Sequence, residues 1–234
     1  MTTEQKNEVR QYLLAKKLPV DLMMEVEDHF ISQINEQQTE KNLSFNDAFN
    51  VVIISWHDDL KLSWDGNWSL EDTSVLVKKS TRQKLYPILK TSFIVALVCQ
   101  AVMFLSYLII PFDVFRIGFG ILILFIMVFP FIMYIKEKKY FELPKKYKNI
   151  RLSAYQDLVT VFFILPMSSG WFFRFVFEMN DGFLDLNFMK GILANCLFAF
   201  FFFFEATIII AQKKYLEMIK NIIPYLQENF KVSN

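Results

Sequence analysis

Four long apolar stretches crowd into the chain after Thr91, at residues 92–111, 114–135, 154–177 and 188–212. Each supplies the roughly 20 predominantly apolar residues that a helix needs to cross a bilayer. Residues 198–204 followed by 208–210 leave no polar face that water could wet. The ninety residues before Thr91 are mostly polar and read instead as short amphipathic helices. The expected fold is therefore all-α, a small N-terminal three-helix cytosolic domain followed by a four-helix transmembrane bundle. The boundaries read as a helical domain over 1–62, a linker and pre-membrane helix over 63–91, the bundle over 92–212 and an amphipathic cytosolic tail over 213–234. Residues 1–10 are polar with no apolar run behind them, so the first apolar stretch is expected to act as the insertion signal.

Orientation follows from Lys and Arg in the short loops. Lys78, Lys79, Arg82, Lys84 and Lys90 precede the first stretch, and Lys213 and Lys214 follow the fourth. Lys136, Lys138, Lys139, Lys145, Lys146, Lys148 and Arg151 lie between the second and third. The opposite side holds mainly Asp113, Arg116, Glu178, Asp181 and Asp185, with Arg174 and Lys190 at its edges. Both termini and the middle loop are thus expected in the cytoplasm, in contact with membrane lipid. The connection near Pro111 is too short for anything but an antiparallel hairpin. Pro130 and Pro166 fall within spans, where neighbouring helices satisfy the freed carbonyls.

In the polar part, residues 4–17 carry Val9, Tyr12 and Leu13 on one side. Pro19 and Asp21 then suit a helix start. Leu22, Val26, Phe30 and Ile34 recur every four residues as an apolar stripe, with Glu25, Glu27 and Asp28 assigned to the polar remainder. Ser44 with Asp47 reads as a capping box with Asp in place of Glu, opening a helix that buries Ala48, Phe49, Val52, Ile53 and Trp56. Ser69 with Asp72 reads as a further helix start. Three short helices make only a small core, which calls for a partner, a second copy in a homo-oligomer, or the membrane surface. Trp56, Trp64 and Trp68 cluster around the turn-like Asp65-Gly66-Asn67, either as packing and interfacial anchors or as a contact surface.

The runs Tyr12-Leu13, Leu18-Pro19, Glu25-Val26-Glu27-Asp28-His29-Phe30 and Leu43-Ser44-Phe45-Asn46-Asp47-Ala48-Phe49 resemble the HAAS-type domain, the permease-prefix-like helical module of bacterial membrane proteins. The resemblance covers residues 5–60. Asn42 stands where relatives carry Gly between the second and third helices, and Asn tolerates the left-handed cap; Trp56-His57 replaces the second Gly. The resemblance implies a cytosolic sensing or signalling module on an inner-membrane protein, with a PadR-like cytosolic regulator as partner. An interaction face around Glu25, Asp28, His29, Trp56, Trp64 and Trp68 is the corresponding expectation.

Glu205 is the chemical anomaly of the apolar half. It closes the run 200–204 of five phenylalanines, on the order of 7 Å from the span's middle by helix rise. An ionised carboxylate there costs a few kcal/mol, so it has to be protonated, paired or wetted. Arg174 sits roughly 20 Å away in depth; Gln100 and Thr160 are nearer and suited to hydrogen-bond it. Three roles stay open: polar glue between helices, proton or cation binding, and partner recognition. Transport by a small permease-like or channel bundle using Glu205 is the alternative to signalling, and a subunit of a larger complex is a third reading. Cys99 and Cys196 differ in depth by about 10 Å, too far for a disulfide. His29 and His57 each neighbour acids, but no metal-ligand spacing accompanies them. With six glycines in the chain and no phosphate-loop, nucleophile-elbow or kinase motif, neither enzyme activity nor a cofactor is expected. A net charge of +1 argues against direct nucleic-acid binding. The tail, with Leu216, Ile219, Ile222 and Ile223 on one face, is suited either to lying on headgroups or to docking on the N-terminal domain.

Overall fold

A computed structural model describes residues 1–64, 72–147, 150–156, 159, 176 and 189–230. The chain is mostly α-helical. In order come α1 (Thr3–Ala15), α2 (Val20–Lys41), α3 (Phe45–Ser55), the single turn α4 (His57–Leu60), β1 (Leu62–Ser63), β2 (Thr73–Ser74), α5 (Val75–Ile109), α6 (Phe112–Lys136), α7 (Lys138–Phe141), α8 (Leu143–Lys146) and α9 (Met189–Asn229). They form two compact units. One, the module, comprises Met1–Lys84, Glu142–Ala154 and Met218–Asn234; the other, the apolar unit, comprises Leu85–Phe141 and Tyr155–Glu217.

The module follows local sequence chemistry. Thr2 and Gln5 form a reciprocal capping box that opens α1, satisfying two backbone donors that a helix start leaves free. The stripe Leu22, Val26, Phe30 and Ile34 is buried as its period requires. Asn42 closes α2 in the left-handed conformation, φ 51° and ψ 34°. At the start of α3 the Asp47 amide donates to Ser44 Oγ at 3.3 Å. The Asp47 carboxylate, a methylene shorter than Glu, accepts the Ser44 hydroxyl at 2.6 Å and so departs from the usual reach back to the cap amide. Ala48, Phe49 and Val52 are buried, while Ile53 and Trp56 pack partly buried against the same core.

Three findings depart from the expected organisation. First, Leu62 and Ser63 pair antiparallel with Ser74 and Thr73, a two-residue ladder where a linker was expected. Ser74 Oγ then accepts from the Val77 amide at 3.3 Å, so the helix starts five residues beyond the expected Ser69, which lies outside the described residues. Second, that helix runs unbroken from Val75 to Ile109 through Pro87; pre-membrane helix and span are one element. Third, the tail, expected to continue the fourth apolar stretch as far as a bend at Pro224, stays within one helix through Pro224 to Asn229.

The tail is docked within the module. Tyr225 and Phe230 pack against the core of α1–α3, and Ile219, Ile222 and Leu226 are buried. The middle loop joins the same body by capping α2. The Val20 and Asp21 amides, free donors at a helix start, donate to Arg151 O at 2.9 Å and Leu152 O at 3.4 Å.

In the apolar unit, α5 and α6 form the expected hairpin. Phe119 sits 5.1 Å from Phe198 and 6.3 Å from Phe202 in edge-on contacts, and 5.3 Å from Phe115 in a stack. Tyr215 Oη donates to Tyr140 O at 3.3 Å, and the Tyr215 ring stacks on Phe141. Large apolar side chains such as Phe93, Leu97, Ile121, Phe125 and Phe200 are more than half exposed, which a water-facing surface would not tolerate at this density. Among the described residues three helices, Val75–Ile109, Phe112–Lys136 and Gly191–Asn229, are long and apolar enough to cross a membrane. Lengths and outward faces together identify a membrane-embedded chain. The expected third span, 154–177, lies almost wholly outside the described residues.

Candidate functional site

The densest polar site lies in the module and joins residues far apart in sequence. Arg10 extends from α1, one position past buried Val9. Glu27 projects from α2, in the buried register of Met23, Phe30 and Ile34, and is 5% exposed. Tyr225 comes from the end of α9. Arg10 Nη2 donates to Glu27 Oε1 at 2.7 Å, and Arg10 Nε to Glu27 Oε2 at 3.3 Å and to Tyr225 Oη at 3.2 Å. The Tyr225 hydroxyl donates to Glu27 Oε2, and the guanidinium lies 5.5 Å from the Tyr225 ring centre. Both carboxylate oxygens are thereby engaged, the condition under which a buried carboxylate is tolerable. Burial, reinforced by the bond and charge of Glu27 and opposed by Arg10, pushes the Tyr225 phenol well above its usual range. For Arg10, burial works against the charge, but bonds to Glu27 and Tyr225 outweigh it and raise the guanidinium further.

A second polar cluster ties the middle loop to the same body. Lys84 Nζ donates to Asp21 Oδ2 at 2.8 Å, and Ser153 Oγ reaches the same oxygen at 3.4 Å. Neither cluster was anticipated. Glu27 had been assigned to the polar side of α2 with Glu25 and Asp28, and its burial corrects that. Its register with Met23 and Phe30 was the available signal, since an acid in an apolar stripe requires a partner; nothing local says that the partner is 198 residues away.

Of the expected interaction face, Glu25, Asp28 and His29 are exposed on one side of α2. Trp56 is instead partly buried, its ring 5.3 Å from Phe30 and its Nε1 donating to Gln33 Oε1 at 2.8 Å. Trp64 is exposed and Trp68 lies outside the described residues. His57 lies 3.1 Å from its neighbour Asp58, with both side chains exposed.

Among the intramembrane candidates, Glu205 is 3% exposed and has no hydrogen-bond partner for its buried Oε2. Gln100 does not reach it; its Nε2 donates to Asn195 Oδ1 at 2.7 Å. Thr160 and Arg174 lie outside the described residues. Cys99 and Cys196 are free thiols. Among the described residues no cluster of His, Cys, Asp and Glu could hold a metal ion. Comparison of the chain with family models, curated proteins and solved structures finds no match.

Proposed function

We propose that this chain is a non-enzymatic, multi-pass inner-membrane protein whose cytosolic helical module senses or contacts another protein, in the manner its HAAS-like resemblance implies. The observation that carries the reading is the Arg10–Glu27–Tyr225 cluster. Through it, the end of an apolar helix becomes a structural part of the polar module. A module built this way registers any displacement of α9 in its own core, which a tethered but independent domain would not.

The same assembly supports the topology. Segments 1–84, 142–154 and 218–234 belong to one compact body, so they share a side of the membrane. Two long apolar helices separate the first segment from the second, which returns the chain to its starting side. One described span separates the second from the third. The lysine-rich loops support a cytoplasmic location for that shared side.

The contact surface is the exposed side of α2 bearing Glu25, Asp28 and His29. A cytosolic regulator of the PadR-like kind is the partner that the resemblance suggests. The test is photo-crosslinking from position 28 or 29 of the full-length protein in its native membrane. A single cytosolic protein captured there, and lost on Glu25→Lys with Asp28→Lys, is the expected result. Crosslinks to lipid and to the chain itself alone would defeat the reading.

A further inference from the structure

The apolar unit holds buried polar atoms that the reading above leaves unused. Besides Glu205 Oε2, both Ser92 Oγ and Gln212 Oε1 are buried without a hydrogen bond, their residues 0% and 2% exposed. A buried acceptor left unsatisfied costs about 1–3 kcal/mol, so these three, with Gln100 Oε1 as a fourth in the same lipid-facing unit, need a physical reason.

Helix direction and register bring two of them together. Residues 119 and 140–141 of the α6–α7 run meet 198–202 and 215 of α9 in the same order, so α6 and α9 run parallel. The tight hairpin makes α5 antiparallel to both. The Gln100–Asn195 bond pins the pairing of α5 with α9. Counting about 1.5 Å and roughly 100° per residue from that bond brings Ser92 and Glu205 to one flank of the pair, on the order of one turn apart in level. Gln212 lies on the same flank of α9, about 10 Å nearer its C-terminal end.

The geometry points to Glu205 and Ser92 as an intramembrane site that takes up and releases a single proton. In uptake a hydronium ion gives its proton to a carboxylate oxygen of Glu205 and leaves as water; in release the carboxylic acid returns the proton to water. The Ser92 hydroxyl suits both states, because it donates to a carboxylate and accepts from a carboxylic acid. Gln212 marks the polar step toward the end of α9. A metal cation requires several oxygen ligands, and among the described residues Glu205 belongs to no cluster of His, Cys, Asp and Glu that could hold one.

Among the described residues of the three long apolar helices, no charged group competes for the carboxylate. Residues 91–109 of α5, 117–135 of α6 and 191–212 of α9 contain no charged residue other than Glu205. Their remaining titratable side chains are Cys99, Tyr107, Tyr134 and Cys196, and Val176, which packs in the same cluster, is apolar. Lys90, near Glu205 in level, is exposed and by the same angular count projects from the opposite flank.

The test uses the full chain in lipid vesicles. Infrared spectra should show a carboxylic-acid carbonyl band that disappears on raising the pH and shifts in heavy water. It should be lost in Glu205→Gln, move in Glu205→Asp, and change frequency in Ser92→Ala. A hydrophobic carbodiimide should label Glu205, located by peptide mass spectrometry, with a yield that falls as pH rises. A carboxyl band unmoved by pH and heavy water in the unaltered protein would overturn the proposal by marking a permanently sealed acid. Protection from labelling by sodium at constant pH would overturn it in favour of a metal cation.

Discussion

The chain buries a glutamate in each of its two units and treats them in opposite ways. In the module, Glu27 meets a guanidinium and a phenol, and both carboxylate oxygens are bonded. In the apolar unit, the buried oxygen of Glu205 meets no donor. The module places its apolar side chains inside, so a buried charge there needs a bonded partner. The apolar unit turns its greasy side chains outward, and a polar atom inside it has only the helices' few other polar atoms to meet. An acid in the first setting is architecture, whereas in the second it is available for chemistry.

The contrast can be broken most directly at Glu27. Glu27→Ala leaves the part-buried Arg10 without its counter-charge and should destabilise the module by about 3 kcal/mol, the lower end for a buried pair. Hydrogen exchange of α1–α3 in the full-length protein would read this as lost protection. Glu205→Ala, which severs no ion pair, should leave that protection intact. Equal losses from both substitutions would erase the distinction between the two acids.

A smaller effect sharpens it. Tyr225→Phe removes one hydroxyl bonded to a charged group and should cost about 1.5–3 kcal/mol. The phenol's value is raised above its ordinary 10.0, so the folded module keeps a proton that the unfolded chain surrenders. Its contribution is whole below pH 10 and is lost as pH climbs beyond that value. Unfolding of the unaltered protein should therefore steepen in alkali, and Tyr225→Phe should flatten that slope. Ser44→Ala, which removes only the α3 cap, should cost about 1 kcal/mol with no such pH dependence in the same assay.

Legibility in the sequence divided along the same line. In the module, polarity alternates with helical period, so the stripe from Leu22 to Ile34 and the Ser44 start could be read residue by residue, while the Asn42 cap was implied by the family resemblance. Glu27 was misassigned because local acids outweighed its register, and its partners come from α1 and from the far end of the chain. In the apolar unit every face is greasy. The existence of the spans was plain, but no period could say which face of α9 turned inward. Glu205 stood out as an acid among phenylalanines; Ser92 did not, since a serine costs little anywhere along a helix. The continuity of α5 from pre-membrane helix into apolar stretch was hidden because composition changes there while helical propensity does not.

The placement of Tyr225 also fixes when the module can be finished. Glu27 emerges from the ribosome 198 residues before the hydroxyl that completes its bonding. At roughly 5–20 residues per second that interval is on the order of 10–40 s, during which the intervening apolar segments enter the membrane. Until then α1 and α2 stand with an open seam where Tyr225 and Phe230 will pack. Closure of that seam is a record that translation has reached the end of α9 and that its last turns have met α1 and α2. A chain truncated or inserted the wrong way round keeps the seam open, and with it a recognisable mark of incompleteness.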